Sequence, residues 1–357
     1  MIQNLIIPVA GASSRYPGMR PKWLLTMPNG KLMIEESVKK INCKFFTKIF
    51  VVALKSHITK YCNRESLIFS LKKNISKKIE LVELEKTTSC QAETVAAAIK
   101  KKKIKGAILI KDCDNQFSID DKFLKKINNS VYAIDINTQD LIDAKNKSYI
   151  EKNIYNNIVN IVEKKIVSDF FCCGAYSFHS AKSFLTYANM LLKTSKDVYI
   201  SHVILKMLLN GNEFKYHNAN DYIDWGTLRE FRHWQRKSVT LFCDFDGCLV
   251  INGSKFGKLG YKTKPISENL NCLKKINQNY NLKLIIVTSR PKSELKFIRS
   301  ILSKFDLKNI DVITDLPHGK RILINDFSKT NPYPSADSIN LIRNGKELSE
   351  ALSYLIN

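Results

Sequence analysis

The chain has 357 residues, 44% hydrophobic and 25% charged, the composition of a chain with folded cores and, at this length, of two domains. Its formal net charge of +24 rests on lysine far more than on arginine. No aromatic–basic strip or binding motif accompanies that charge, so nucleic acid is not expected as a partner, while anionic nucleotides and sugar phosphates suit a basic surface.

The opening MIQNLIIPVAGASSR lacks a basic leader, and Pro8 and Gly11 interrupt its apolar run, so no secretion signal is expected. No apolar stretch approaches the ~18 residues of a membrane span. The cysteines Cys43, Cys62, Cys90, Cys113, Cys172, Cys173, Cys243, Cys248 and Cys272 form no CxxC pair and no zinc spacing. A reducing, cytoplasmic setting without disulfides follows as the expectation.

In chain order, apolar runs at 4–11, 48–54 and 106–114 read as strands, and so do 239–247, 283–289 and 320–326. Between them, residues 33–41, 92–101, 267–276 and 293–305 carry helical spacing. The run Lys100 to Lys103 closes one of these helices, where cations suit the macrodipole. The alternation predicts an α/β protein with two Rossmann-like, three-layer α/β/α domains. The polar segment RHWQRKSV at 232–239 marks the boundary, which gives domains 1–235 and 236–357. In such sheets ligands bind beyond the carboxyl ends of the strands.

The first strand runs into PVAGASSRYPGMRPKWLL. The small residues Ala10, Gly11, Ala12, Ser13 and Ser14 allow a tight turn whose backbone N–H groups approach phosphates, and Arg15 and Lys22 add fixed positive charge. This segment resembles the N-terminal motif of the sugar-phosphate nucleotidyltransferases, a small-Gly-x-Gly-x-Arg loop followed by Pro-Lys. Gly11, Arg15, Pro21 and Lys22 match, and Ser13 replaces the second glycine. Further segments resemble that family in order. CQAETVAAAI falls at the helix start near the nucleobase, which puts Gln91 and Thr94 at the nucleotide, with Cys90 and Gln91 in place of small residues. GAILIKDCDNQF resembles the strand that presents a metal-binding aspartate, with Asp114, Asn115 and, two residues earlier, Asp112. VEKKIVSDFFCCGAYSF resembles the acceptor-pocket segment, with Glu163, Lys164 and Gly174. DYIDWGTLREF resembles the segment of the second metal aspartate, with Asp224, Gly226 and Thr227, and with Trp225 displaced to follow the aspartate.

The resemblance implies attack on the α-phosphorus of a nucleoside triphosphate by a phosphate oxygen of a phosphorylated sugar or polyol, with loss of pyrophosphate. Mg²⁺ would be held by Asp114 and Asp224, with Asp112 nearby; Arg15 and Lys22 would hold the triphosphate, and Lys164 the acceptor phosphate. CTP is the favoured nucleotide, with UTP and GTP open, and a homo-oligomer is compatible with the reading. Plainer readings stand beside these. Asp112 suits a simple turn, Lys164 and Lys165 suit solvent, Asp224 suits a helix cap, and His202 suits a structural place. Asp112-Cys113-Asp114 also reads as the Asp-x-Asp of a metal-dependent glycosyltransferase of the related GT-A-like fold.

The second half opens with TLFCDFDGCLV, which resembles motif one of the haloacid dehalogenase-like (HAD-like) phosphatases. KLIIVTSRP resembles motif two and KRILINDFSKTNP the closing acidic motif, with one aspartate where many relatives carry two. The resemblance implies Asp244 as nucleophile and Asp246 as acid–base, with Thr288, Ser289 and Lys320 (Lys329 its rival) on the phosphoryl group. Mg²⁺ would lie among Asp244, Asp246 and Asp326. The pattern is similar to small phosphatase domains of capsule and surface-polysaccharide pathways. A phosphatase beside an inactive nucleotidyltransferase domain is the remaining alternative.

Overall fold

The structure is a computed structural model that describes residues 2–139, 142–236, 239–258, 260–279, 283–326 and 336–356. The chain divides into two compact units, Met1–Phe231 and Arg232–Asn357.

Unit one is organised by strands β1 (Gln3–Pro8), β2 (Lys48–Leu54), β3 (Ile79–Leu84), β4 (Ala107–Lys111), β5 (Asn115–Ser118) and β6 (Ser130–Asp135). They are followed by β7 (Ser148–Lys152), β8 (Ile158–Glu163), β9 (Phe170–Phe178), β10 (Lys215–Asn218) and β11 (Asn220–Asp224). The main sheet has the order β10-β6-β9-β4-β1-β2-β3, and the hairpin β7–β8 joins it through β9. β1 pairs in parallel with both β2 and β4, whereas β9 runs antiparallel between β4 and β6. A separate antiparallel pair joins β5 to β11.

The central strands are apolar at nearly every position because both sheet faces are covered. Ile6, Phe50, Val52, Ile108 and Ile110 join one buried cluster, and their neighbours Leu5, Ile7, Ile49, Val51 and Leu109 join the other. Alternation across the pleat thus feeds two cores from the same strands. Helix Gln91–Lys102 covers the first face through Ala92, Val95, Ala98 and Ile99, a helical stripe. Its last turn carries Lys100, Lys101 and Lys102, and it stops at Lys103 in the left-handed conformation, φ 49°. Helix Arg64–Asn74 covers the other face through Leu67 and Leu71.

Unit two has β12 (Thr240–Asp244), β13 (Lys283–Val287) and β14 (Asp311–Ile313) in one parallel sheet, with helices Ser267–Asn279 and Leu295–Lys304. Its core gathers Phe245, Leu249, Leu270, Leu273, Ile286 and Ile298. One expected strand is not formed among the described residues. Residues 320–326 form no strand, and Ile322, Leu323 and Ile324 are 75%, 60% and 90% exposed. Their apolar character suits a strand, but a strand also requires a paired edge and a buried face, and among the described residues this segment shows no strand pairing and these three side chains are exposed. Among the described residues no helix is long and apolar enough to cross a membrane.

Ile108 is fully buried in a central strand. Ile108→Ala is expected to cost about 2–5 kcal/mol, read as a lower urea midpoint with unchanged slope.

Candidate functional site

The loop after β1 begins where the sheet ends. Ala10 is buried and Gly11 exposed, with open space around its Cα. Ser13, at the position of the missing glycine, adopts the left-handed conformation itself, φ 53°. That conformation costs a non-glycine residue about 1–2 kcal/mol. Two contacts offset it: the Ser13 carbonyl accepts the Tyr16 N–H at 2.8 Å, and its hydroxyl accepts the Lys22 N–H at 3.1 Å. The loop therefore sets the place of both Lys22 and Tyr16. The Tyr16 hydroxyl in turn donates to the Trp225 carbonyl, with the Thr227 carbonyl 3.2 Å away.

Asp112, Cys113 and Asp114 follow β4 directly. Cys113 is buried in the second core, so the residue between the two aspartates is an anchor. β5 and β11 pair with Asp224 opposite Asn115, and the Trp225 N–H donates to the Asp114 carbonyl at 2.8 Å. Segments about a hundred residues apart thereby place Asp114 and Asp224 side by side.

Each of these carboxylates carries a lysine ammonium. Lys22 binds Asp114, with Arg15 3.6 Å from the same oxygen, and Lys147 binds Asp224 while also reaching the Tyr222 hydroxyl at 3.1 Å. Burial works to raise the Asp114 carboxyl, but the charges of Lys22 and Arg15 outweigh it and hold it below the usual carboxylate range. For Arg15, burial opposes the charged form, and Asp114, Asp224, Asp112 and Glu230 together more than restore it. Asp112 differs. Burial, then the charge of Asp114, push its carboxyl up to about 6. The Gln91 amide donates to Asp112, so Gln91 serves the aspartate loop. Thr94 is buried, its hydroxyl held by Thr88 and the Cys90 carbonyl, and it does not present itself to a ligand.

The segment 224–230 is held at its helix start. Thr227 and Glu230 bond reciprocally, the Thr227 N–H to Glu230 Oε2 at 2.8 Å and the Glu230 N–H to Thr227 Oγ1 at 3.4 Å. This capping box takes the capping duty, while Asp224 accepts the Gly226 N–H at 3.0 Å. A Cβ on Gly226 would lie 3.1 Å from Asp224 and 3.5 Å from the Arg15 guanidinium.

Of the acceptor-segment residues, Glu163 accepts the hydroxyls of Ser148 and Ser201, and Lys164 turns to the Tyr199 hydroxyl. The Lys164 N–H donates to the Lys147 carbonyl at 3.0 Å, which links this group to Asp224 through Lys147. Gly174 lies elsewhere, against the aspartate loop. A Cβ there would sit 2.6 Å from Asp112 Oδ2 and 2.7 Å from Asn115 Nδ2, and its φ of +85° already demands glycine. His202 takes the structural place expected of it, its Nδ1 accepting the Tyr199 N–H at 3.3 Å.

Hard carboxylate oxygens that already draw ammonium groups fit Mg²⁺. Among the described residues no group of three or more Asp, Glu, His or Cys side chains converges to hold a metal ion. An ion at Asp114 and Asp224 would complete its shell with water and substrate oxygens, which is how Mg²⁺ is usually held.

In unit two, Asp244 ends β12 and Asp246 follows in the turn. Asp246 is clamped by Arg290: Nε lies 2.9 Å from Oδ2 and 3.1 Å from Oδ1, with Nη2 2.7 Å from Oδ1. Arg290 is buried against Phe245, Tyr261 and Phe297 and bonds the Tyr261 carbonyl and the Thr263 hydroxyl. Thr288 is also buried and donates to Asp246 at 3.2 Å, so its hydroxyl supports that carboxylate and is not displayed to a phosphoryl group. The Ser289 hydroxyl meets the Pro317 carbonyl at 3.4 Å. Lys320 is exposed, and Arg321 reaches Asp244 at 3.1 Å. Burial pushes the Asp244 carboxyl up, and Arg321 partly opposes this. Asp326 is exposed at the end of 320–326, and Asp244, Asp246 and Asp326 form no converging metal cluster. Both Asp246 oxygens face Arg290, and residues 320–326 form no strand among the described residues. Lys329 lies outside the described residues.

Sequence reading missed Tyr16, Lys147, Glu230, Arg290 and Arg321. Thr227-x-x-Glu230 is a readable capping signal, and Arg290 directly follows Thr288-Ser289. Lys147, in AKNKSYIEK, carries no local signal.

Gly174→Ala is expected to cost on the order of 1–3 kcal/mol through its left-handed backbone alone, and more through the collision with Asp112. Urea unfolding would measure this.

No protein-family model matches the chain, and no curated protein matches it. Solved structures do. A nucleoside-diphosphate-sugar pyrophosphorylase from Vibrio cholerae superposes with a TM-score of 0.55 at 20% identity, over 65% of this chain and 99% of its own. A putative glucose-1-phosphate thymidylyltransferase from Bacillus anthracis gives 0.51 at 18%, over 65% of this chain and 93% of its own. A CTP:phosphocholine cytidylyltransferase from Streptococcus pneumoniae gives 0.50 at 15%, over 66% and 98%. The chain shares the fold of these proteins over about the share that unit one makes up.

Proposed function

We propose that unit one is a Mg²⁺-dependent nucleotidyltransferase that joins a nucleoside monophosphate to a phosphorylated sugar, polyol or similar alcohol and releases pyrophosphate. The observation that carries the reading is the convergence of Asp114 and Asp224, each in contact with a lysine, beside the Arg15–Lys22 loop. The fold shared with proteins named for transfer to sugar phosphates and phosphocholine supports it. CTP remains the favoured nucleotide, and the cytoplasmic setting and a surface-polysaccharide precursor as product belong to the same proposal.

The residues divide the work. The loop Ala10–Ser14 and the cations Arg15 and Lys22 receive the triphosphate, and Asp114 and Asp224 would hold the metal. Bound there, Mg²⁺ would neutralise charge that builds on the α-phosphoryl and leaving oxygens. Asp114 and Asp224 would hold the ion, and Lys22, on the triphosphate side, and Lys147, on the side of Glu163 and Lys164, would then be the cations available to phosphate oxygens. Arg15 and Lys22 on Asp114 suit an incoming triphosphate better than the sugar-nucleotide diphosphate of a glycosyltransferase.

For unit two we propose a phosphomonoesterase whose nucleophile is Asp244, with Arg321 beside it for the transferred phosphoryl group. Asp246 can act as acid–base only when its ion pair with Arg290 opens.

Pyrophosphate release with CTP, UTP, GTP and ATP against a panel of phosphomonoesters tests unit one. The expected result is Mg²⁺-dependent release that is lost in Asp114→Ala and Asp224→Ala; full activity in both variants contradicts the site. For unit two, hydrolysis of p-nitrophenyl phosphate should fall to background in Asp244→Asn and persist in Asp114→Ala.

A further inference from the structure

Lys111 is the last residue of β4 and is fully buried. Its ammonium makes three hydrogen bonds: to the Asp112 carbonyl at 2.7 Å, to the Asn115 carbonyl at 3.0 Å, and to the Asn115 side-chain oxygen. The Phe117 ring lies beneath it, its centroid 4.4 Å away. All three acceptors belong to the four residues that follow it, so the ammonium spans the loop from its first member to its last.

Burying a lysine is expensive, and a methionine would fill similar space without desolvating a charge. None of the acceptors is a carboxylate, so the side chain does not serve to neutralise Asp112 or Asp114 through a direct ion pair. What it does is hold two carbonyls and one amide in fixed positions. The opposite side of the loop is fixed as well. The Asp112 N–H donates to the Gly174 carbonyl at 2.8 Å, and Gly174 leaves no room for Asp112 or Asn115 to move toward it. The loop is thus clamped between a buried ammonium and a glycine.

We propose that Lys111 is a positioning residue for metal binding, aiming the Asp114 carboxylate by fixing the backbone of residues 112–115. The inference rests on the reading of Asp114 as a metal ligand. Charge and geometry predict opposite signs, which makes it testable. If Lys111 acted only through its charge, removing a cation near a metal site would tighten the ion. If it positions the loop, removing it loosens the ion.

The experiment is a Mn²⁺ titration of the full-length protein followed by electron paramagnetic resonance, in which the ion lost in Asp114→Ala defines the site. Lys111→Met is expected to weaken that ion about 10–100-fold, as for other residues that orient ligands without touching the metal. Asn115→Ala, which leaves the lysine in place but removes one acceptor, should weaken it less and keeps the test open if Lys111→Met does not fold. Unchanged or tighter Mn²⁺ in these variants overturns the role of Lys111 alone. A wild-type protein with no Asp114-dependent ion overturns this role together with the reading of Asp114.

Discussion

One short pairing carries the site. β5 and β11 place Asp224 opposite Asn115 and deliver the Trp225 N–H to the Asp114 carbonyl. Two carboxylates from distant segments are brought together this way, and a buried carboxylate is costly unless it is paired. The rest of the local structure answers that cost. Lys22 and Lys147 neutralise one carboxylate each, and Arg15 lies within reach of Asp114. The Tyr16 hydroxyl ties the cationic loop to Trp225, and Thr227 with Glu230 fixes the turn behind it.

The same logic bears on two residues of left-handed backbone beside the site. Ser13 takes a left-handed conformation because its hydroxyl and carbonyl hold Lys22 and Tyr16 in place. Gly174 takes one too, and the aspartate loop separately occupies the space where a side chain would stand. Ser13 lies in the loop after β1, and Gly174 lies inside β9 against the loop that follows β4, at the carboxyl ends of central strands, where a doubly covered sheet leaves room for ligands. Unit two shows a related economy. Arg290, stacked among three aromatic rings, holds Asp246, and Thr288 adds its hydroxyl to the same carboxylate.

Much of this was legible in the sequence, for physical reasons. Strands β1, β2 and β4 are continuous apolar runs because both faces are buried, and such runs are readable without a fold. The aspartates, Arg15 and Lys22 stand at strand ends, where polar residues interrupt apolar ones. Lys147 was invisible because its partner lies 77 residues away. Lys111 was read as part of a strand, since nothing local says that its ammonium turns under the following loop. The segment 320–326 failed in the opposite sense: its apolar pattern is that of a strand, yet exposure of Ile322, Leu323 and Ile324 shows that composition does not supply a pairing edge. Lys320 and Arg321 show a finer limit. Of two adjacent cations, sequence alone does not say which one meets Asp244.

The central claim is that the bond broken lies between the α- and β-phosphorus atoms. Parallel incubations with nucleoside triphosphate labelled at the α- or at the γ-phosphate, with Mg²⁺ and a phosphomonoester acceptor, test it most directly. The α-label is expected to enter the product and the γ-label to leave in pyrophosphate. Transfer of the γ-label to the acceptor, or turnover only with a preformed sugar nucleotide, would contradict it.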